Sequence, residues 1–145
     1  MKPTDLALNR ALGIADAAPG AAHLLELPFA PVVCNHIGTV HAAAQFALAE
    51  AAAAERLRRD FSKLADSIVP IMRGTEAKYR QPATGTLLAY ATLDESARTR
   101  IPADLAMSGR TLATVAVELK DAAGVLTFAG EFHWFLIHRD KFRAT

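Results

Sequence analysis

Residues 41–57, HAAAQFALAEAAAAERL, constrain this chain more than any other stretch. They hold nine alanines and neither glycine nor proline. Alanine is the strongest intrinsic helix former, so the run predicts one continuous α-helix over about residues 40–58. That helix is apolar nearly all round, not along one stripe. Such a helix is normally buried by other elements on most sides. Its small side chains let neighbouring backbones come close, which suits a sheet curled around a thin helix.

One carboxylate interrupts the apolar run. Glu50 has Phe46, Ala47, Ala53 and Ala54 three and four positions away, and none can pair with a charge. Glu55 has Arg58 and Arg59 at those spacings and reads as an ordinary surface ion pair. A carboxylate without a local partner on a buried helix is costly. It must find a distant partner, be protonated, or face a solvent-filled site. Burial raises its pKa, which suits a general acid or base. The plainer alternative is a glutamate at the helix edge, or one tied to a remote arginine.

The preceding residues 35–41, NHIGTVH, form a polar, glycine-containing entry to the helix, with Thr39 as the expected N-cap. Free backbone N–H groups at a helix N-terminus can hold an oxyanion or a carbonyl oxygen. Asn35 can donate a side-chain hydrogen bond to the same atom. His41 and Glu50 are nine positions apart, about half a turn around the helix at about 100° per residue. One helix therefore does not easily aim both at one substrate. Two copies can, if the entry loop of one chain lies near Glu50 of the other.

The run N-x-x-G-T-V-H-A-A-A-x-x-x-L-A-E-A resembles the signature of hotdog-fold thioesterases, particularly the branch around the phenylacetate-pathway and hydroxybenzoyl-CoA enzymes. The resemblance is strong over this helix and looser over most of the remaining chain. It implies that Glu50 is the base or nucleophile and that Asn35 positions the thioester or the water. It also implies that the Ala42 amide polarises the thioester carbonyl, with His36, Gly38, Thr39 and His41 shaping the substrate side of the loop. The family commonly carries Gly-Gly after the histidine, where this chain has Ala42 and Ala43. A backbone N–H survives that change, but the methyls can crowd the acyl group or forbid a positive φ.

A chain of 145 residues with 52% hydrophobic content is expected to be one domain, residues 1–145, with a substantial core. A formal charge of +1 gives no reason to expect nucleic acid or a charged membrane surface as partner. The lone cysteine, Cys34, excludes an internal disulfide framework and suits a reducing compartment. Among Pro31, Val32 and Val33 it reads as a small buried hydrophobe. No signal peptide follows the opening residues, and the alanine-rich helix is too polar to span a bilayer. A cytoplasmic location is the expectation.

Leu6, Leu8 and Leu12 suggest a short amphipathic helix over residues 4–15, ended near Gly13. Residues 23–29 read as a first strand, and residues 60–66 as a linker. A long strand over 67–81 contains Pro70 and Gly74, which mark an edge, a bulge or a bend. Residues 82–85 read as a hairpin turn into a strand over 86–93. Residues 94–108 form a polar stretch with a short helical insert. In the strand over 110–120, Ala113, Val115, Val117 and Leu119 face one side. Residues 121–124 turn it back into a last strand over 125–138, with Phe128, Phe132, Trp134 and Leu136 on one face. Four strands in hairpins on one long helix make an α+β architecture, in agreement with the hotdog fold. The resemblance further implies a homodimer at least, with sheets joined edge to edge and helices back to back, and tetramers as a common higher state.

His36 lies fourteen positions before Glu50, a spacing that resembles hotdog β-hydroxyacyl dehydratases, although the proline–glycine pattern of those enzymes is missing. Glu131, His133 and His138 on the last strand do not share one face, and nothing nearby completes a metal site. Lys78, Arg80, Arg98, Arg100 and Arg110 are candidates for coenzyme A phosphates. The reading is an acyl-CoA thioesterase without metal or redox cofactor, coenzyme A entering as part of the substrate. The alternatives are a hotdog protein that binds acyl-CoA without turnover, which Ala42-Ala43 favours, and the dehydratase.

Overall fold

Gly13, at φ 79°, ends the first helix of the chain, α1 (Ala7–Leu12), through its left-handed backbone. The computed structural model describes residues 1–142. A single 3-10 turn, Pro3–Asp5, precedes α1. Two short strands follow, β1 (Ala15–Asp16) and β2 (Leu25–Leu27). The strand expected over 23–29 shrinks to three residues because Pro28 cannot donate to a ladder. The long helix, α2, spans Ala42–Asp60, close to the expected limits. Then come β3 (Ile68–Tyr79), β4 (Leu87–Leu93), α3 (Glu95–Ser108), β5 (Arg110–Asp121) and β6 (Leu126–His138). The insert expected over 94–108 is thus a full helix of 14 residues, with Ala97, Ile101 and Leu105 buried along one side.

The six strands form one antiparallel sheet in the order β1-β2-β4-β5-β6-β3. This corrects the expectation of successive hairpins. β3 and β4 are not paired; β3 pairs with β6, and β4 lies between β2 and β5. Residues 80–86 are therefore a crossing across the end of the sheet, not a hairpin turn. Their backbone is satisfied elsewhere, by Arg80 N–H to the Thr127 carbonyl and by the Val40 N–H donating to the Ala83 carbonyl. Only β5 and β6 form the expected hairpin, with Gly124 at φ 82° in its turn. Pro70 and Gly74 do mark an edge strand, and the β3–β6 register shifts between Met72 and Gly74.

The sheet wraps α2, which packs on β2, β4, β5 and β6. Alternation places Ala113, Val115, Val117 and Leu119 of β5 and Phe128, Phe132, Trp134 and Leu136 of β6 in the core, as expected. Small side chains let α2 sit deep: Ala49, Ala51, Ala52 and Ala53 are fully buried. This is the hotdog fold. One stripe of α2, through Ala47, Glu50 and Ala54, stays half-buried. The ion pair at Glu55 forms, but not at the surface. Glu55 is 1% exposed and receives both Arg58 and Arg59. Among the described residues no helix is long and apolar enough to cross a membrane.

Candidate active site

Asn35 builds the entry loop from its own side chain. Its Oδ1 accepts the Ile37 and Thr39 N–H groups, both at 3.1 Å, and its Nδ2 donates to Thr39 Oγ1 at 2.8 Å. An asparagine mimics a backbone turn in this way. Gly38, at φ 77°, supplies the left-handed residue the turn needs. A Cys34–Val40 bridge closes the loop below. The Asn35 carboxamide thus keeps one unused donor, not a whole free amide. The Cys34 thiol is half-buried and donates to the Ala30 carbonyl at 3.3 Å.

The N-cap of α2 is His41, not Thr39. The Thr39 hydroxyl and N–H both bond Asn35, and the helix begins at Ala42, so Thr39 lies two positions ahead of the cap. His41 Nδ1 instead accepts the Ala43 N–H at 2.9 Å, and the His41 carbonyl accepts from Ala44 and Gln45. Among the described residues the Ala42 N–H has no acceptor. It points out of the helix N-terminus, where the macrodipole is positive. Tyr79 at the end of β3 ties this turn to the sheet by donating to the Ala42 carbonyl at 3.2 Å. Gln45, 5% exposed, holds the loop from beneath through Nε2 to the Val40 carbonyl at 3.2 Å.

Ala42 and Ala43 are exposed and lie in the regular first turn of α2. No residue other than glycine has a positive φ among those described. The backbone at these positions asks for nothing that alanine cannot adopt.

Glu50 sits two turns further on. Eight residues from Ala42 correspond to about 12 Å along the axis, with a further offset of about 80° around it. Among the described residues Glu50 has no hydrogen bond and no ion pair within reach. Burial alone pushes its carboxyl above the ordinary carboxylate value. It faces a half-open cavity of about 270 Å³, whose walls include Ala54 and Leu57 of α2, Ile68 and Pro70 of β3, and Leu136 of β6. No residue of the 35–42 loop lines that cavity.

The chain therefore gathers Asn35, Gly38, Thr39, His41 and Ala42 into one turn and keeps Glu50 apart. His36 is exposed beside that turn. Tyr79, Gln45 and the cavity walls escaped the sequence reading, since no local pattern marks residues that meet through the sheet. Of the basic candidates, Arg98 is shared between Asp60 and Glu95, and Arg100 is held by Asp104 and Thr111. Lys78, Arg80 and Arg110 are exposed and make no ion pair among the described residues. Among the described residues no group of three or more metal-binding side chains occurs.

The family described as "Domain of unknown function (DUF4442)" matches residues 12–136. Comparison with curated proteins returned no match. Several solved structures share the fold. A Pseudomonas aeruginosa protein of unknown function, described as a probable thioesterase, is 22% identical at a TM-score of 0.79, covering 93% of this chain and 89% of that one. A Bacillus halodurans protein solved with CoA is 19% identical at a TM-score of 0.69, covering 90% and 75%. A Staphylococcus aureus thioesterase is 14% identical at a TM-score of 0.68, covering 91% and 99%, in a variant with one glutamine changed to alanine. The same protein was also solved with one glutamate changed to alanine. These likenesses fix the fold and do not single out the phenylacetate-pathway or hydroxybenzoyl-CoA branch.

Proposed function

The chain belongs to the DUF4442 family, and we propose that it is an acyl-CoA thioesterase whose site is completed by a second copy of itself. The observation that carries this reading is Glu50: an unpaired, half-buried carboxylate facing an apolar cavity, on the helix whose N-terminus offers a free amide. β3 is a long edge strand with one side of its backbone unpaired, and such an edge needs cover. Joining two β3 edges brings two α2 helices together along the half-buried Ala47, Glu50 and Ala54 stripe. The antiparallel arrangement then sets the Ala42 N–H of one protomer against Glu50 of its partner.

In that site the Ala42 N–H, aided by the helix dipole, polarises the thioester carbonyl and stabilises the developing oxyanion. The remaining Asn35 Nδ2 donor points the same oxygen or the water. Glu50 removes a proton from water as the water attacks the carbonyl carbon, or attacks that carbon itself to give an anhydride that water then opens. In both routes the carbon–sulfur bond breaks, the thiolate of CoA takes up a proton, and a carboxylic acid leaves. Support from relatives is of two kinds. One similar structure contains CoA. In the Staphylococcus aureus thioesterase the replaced glutamine and glutamate are separated by fifteen residues, the separation of Asn35 and Glu50.

The binding-only reading drew on the Ala42-Ala43 pair; the helical backbone there needs no positive φ, which leaves crowding by the methyls as its ground. The dehydratase reading needs His36 as a catalytic partner of Glu50, and the sequence lacks the proline–glycine pattern of those enzymes. The test is release of free thiol from a panel of acyl-CoAs, with Glu50→Gln beside the wild type. Loss of roughly a hundredfold or more in the variant is expected. Equal turnover in the two proteins would remove Glu50 from the mechanism and leave a thioesterase of another kind.

A further inference from the structure

The cavity beside Glu50 has two kinds of wall. Ala54, Leu57, Ile68, Pro70 and Leu136 belong to the hotdog core, inside the 12–136 stretch that matches the family. Met1, Lys2, Pro3 and Leu6 close it from a segment outside that stretch. The family pattern therefore does not dictate this side of the cavity; the chain's own N-terminal residues do.

That segment is held in place. Asn9, 3% exposed, donates from Nδ2 to the Pro3 carbonyl at 2.9 Å. Lys2 reaches Asp16 at 2.8 Å, and its N–H meets Asp5 Oδ2 at 2.9 Å. What the segment presents to the cavity is apolar: Met1, Pro3 and Leu6. Of the three cations that line the cavity, Lys2 meets Asp16 and Arg58 meets Glu55, while Arg139 donates to the Asp66 carbonyl and makes no ion pair among the described residues. An apolar acyl end gains burial there.

Size bounds the occupant. A cavity of about 150 Å³ accommodates benzene, so about 270 Å³ takes one ring with its linking carbons or a medium-length unbranched chain. It lies below the range of roughly 300–1,000 Å³ usual for whole drug-sized ligands, so the CoA body stays outside. We propose that residues 1–6 are the end wall of the acyl subsite and set the upper size of the acyl group, an apolar one of single-ring or medium-chain length. This rests on the thioesterase reading for its chemistry.

The test compares wild type with Leu6→Ala, which removes part of the wall, and Ala54→Leu, which fills the cavity one turn from Glu50. Leu6 is half exposed, so its truncation leaves the core intact. Butyryl-, octanoyl-, phenylacetyl- and palmitoyl-CoA are the substrates, and binding of free octanoate and phenylacetate is followed by calorimetry. Octanoyl- and phenylacetyl-CoA are expected to exceed palmitoyl-CoA in kcat/KM for the wild type. Leu6→Ala raises the palmitoyl-to-octanoyl ratio roughly tenfold, and Ala54→Leu lowers the octanoyl-to-butyryl ratio by a similar factor. A size profile that Leu6→Ala does not move, or a wild type that prefers palmitoyl-CoA, overturns the end wall while leaving the thioesterase. If no acyl-CoA is hydrolysed, the thioesterase reading fails and calorimetry decides the wall. Octanoate binding altered by Leu6→Ala supports it, and binding that Leu6→Ala leaves unchanged, or no binding to the wild type, overturns it.

Discussion

Glu50 and Glu55 stand five positions apart on α2, about 140° around the helix, and their surroundings drive their carboxyl groups in opposite directions. Glu50 is raised by burial with nothing to offset it. Glu55 is also pushed up by burial, but hydrogen bonds from Arg58 and Arg59 outweigh that and hold it below its ordinary value. One carboxylate is left unpaired and the other is tied to two arginines.

Replacing Glu50 with glutamine separates activity from stability. Because burial raises the folded-state pKa, the folded protein holds an extra proton over the window that begins at the ordinary value of 4.5. Stability therefore falls as pH rises through that window. Glu50→Gln escapes this fall, so its urea midpoint exceeds that of wild type at neutral pH and matches it in acid. Its kcat/KM drops by roughly 10²–10⁴-fold, while that of the wild type rises with pH through a pKa above 4.5.

Glu55→Gln has the converse signature. With a lowered folded-state pKa, Glu55 contributes stability that is fully present above 4.5 and is lost as pH falls below it. The glutamine variant loses about 2 kcal/mol at neutral pH and shows a flatter stability profile below the ordinary carboxylate value. Chemical denaturation across that range reads both. A neutral-pH stability equal to wild type contradicts the structural role.

His41 is a cap in this structure. His41→Ala leaves the Ala43 N–H without its acceptor and costs about 1 kcal/mol. Asparagine caps helices well, so His41→Asn retains stability within a few tenths of a kcal/mol and keeps most of the thioesterase activity. If His41→Asn is stable yet inactive, the imidazole moves a proton and the capping account is incomplete.

Ala42→Gly and Ala43→Gly restore the Gly-Gly of the resembled family. The backbone there is already helical, so neither change raises kcat/KM more than a few-fold, and each lowers stability by up to about 1 kcal/mol. A large gain in activity would show that the alanine methyls obstruct the thioester.

Much of this fold was legible in local pattern. The alanine run spelled out α2, and strict alternation spelled out which residues of β5 and β6 face the core. The unpaired charge at Glu50 was legible as well, because a helix surface is determined by neighbours three and four positions away. Strand order was not. Residues 80–86 carry the proline and glycine of a turn, yet they cross the sheet end, because β3 finds its partner in β6 more than forty residues later. Turn chemistry specifies a local bend and is silent about which edge the next strand joins.

The site divides in the same way. Sequence alone determined that a polar, glycine-bearing loop enters a buried helix and that one carboxylate on that helix lacks a local partner, since both depend on residues within a few positions. The tertiary structure decided that β3 joins β6 and leaves its other edge open, and that Glu55 is buried. It also decided that residues 1–6 fold back to close the cavity beside Glu50. Those outcomes depend on which distant groups compete for the same hydrogen bonds and the same space, and that competition exists only once the chain has packed.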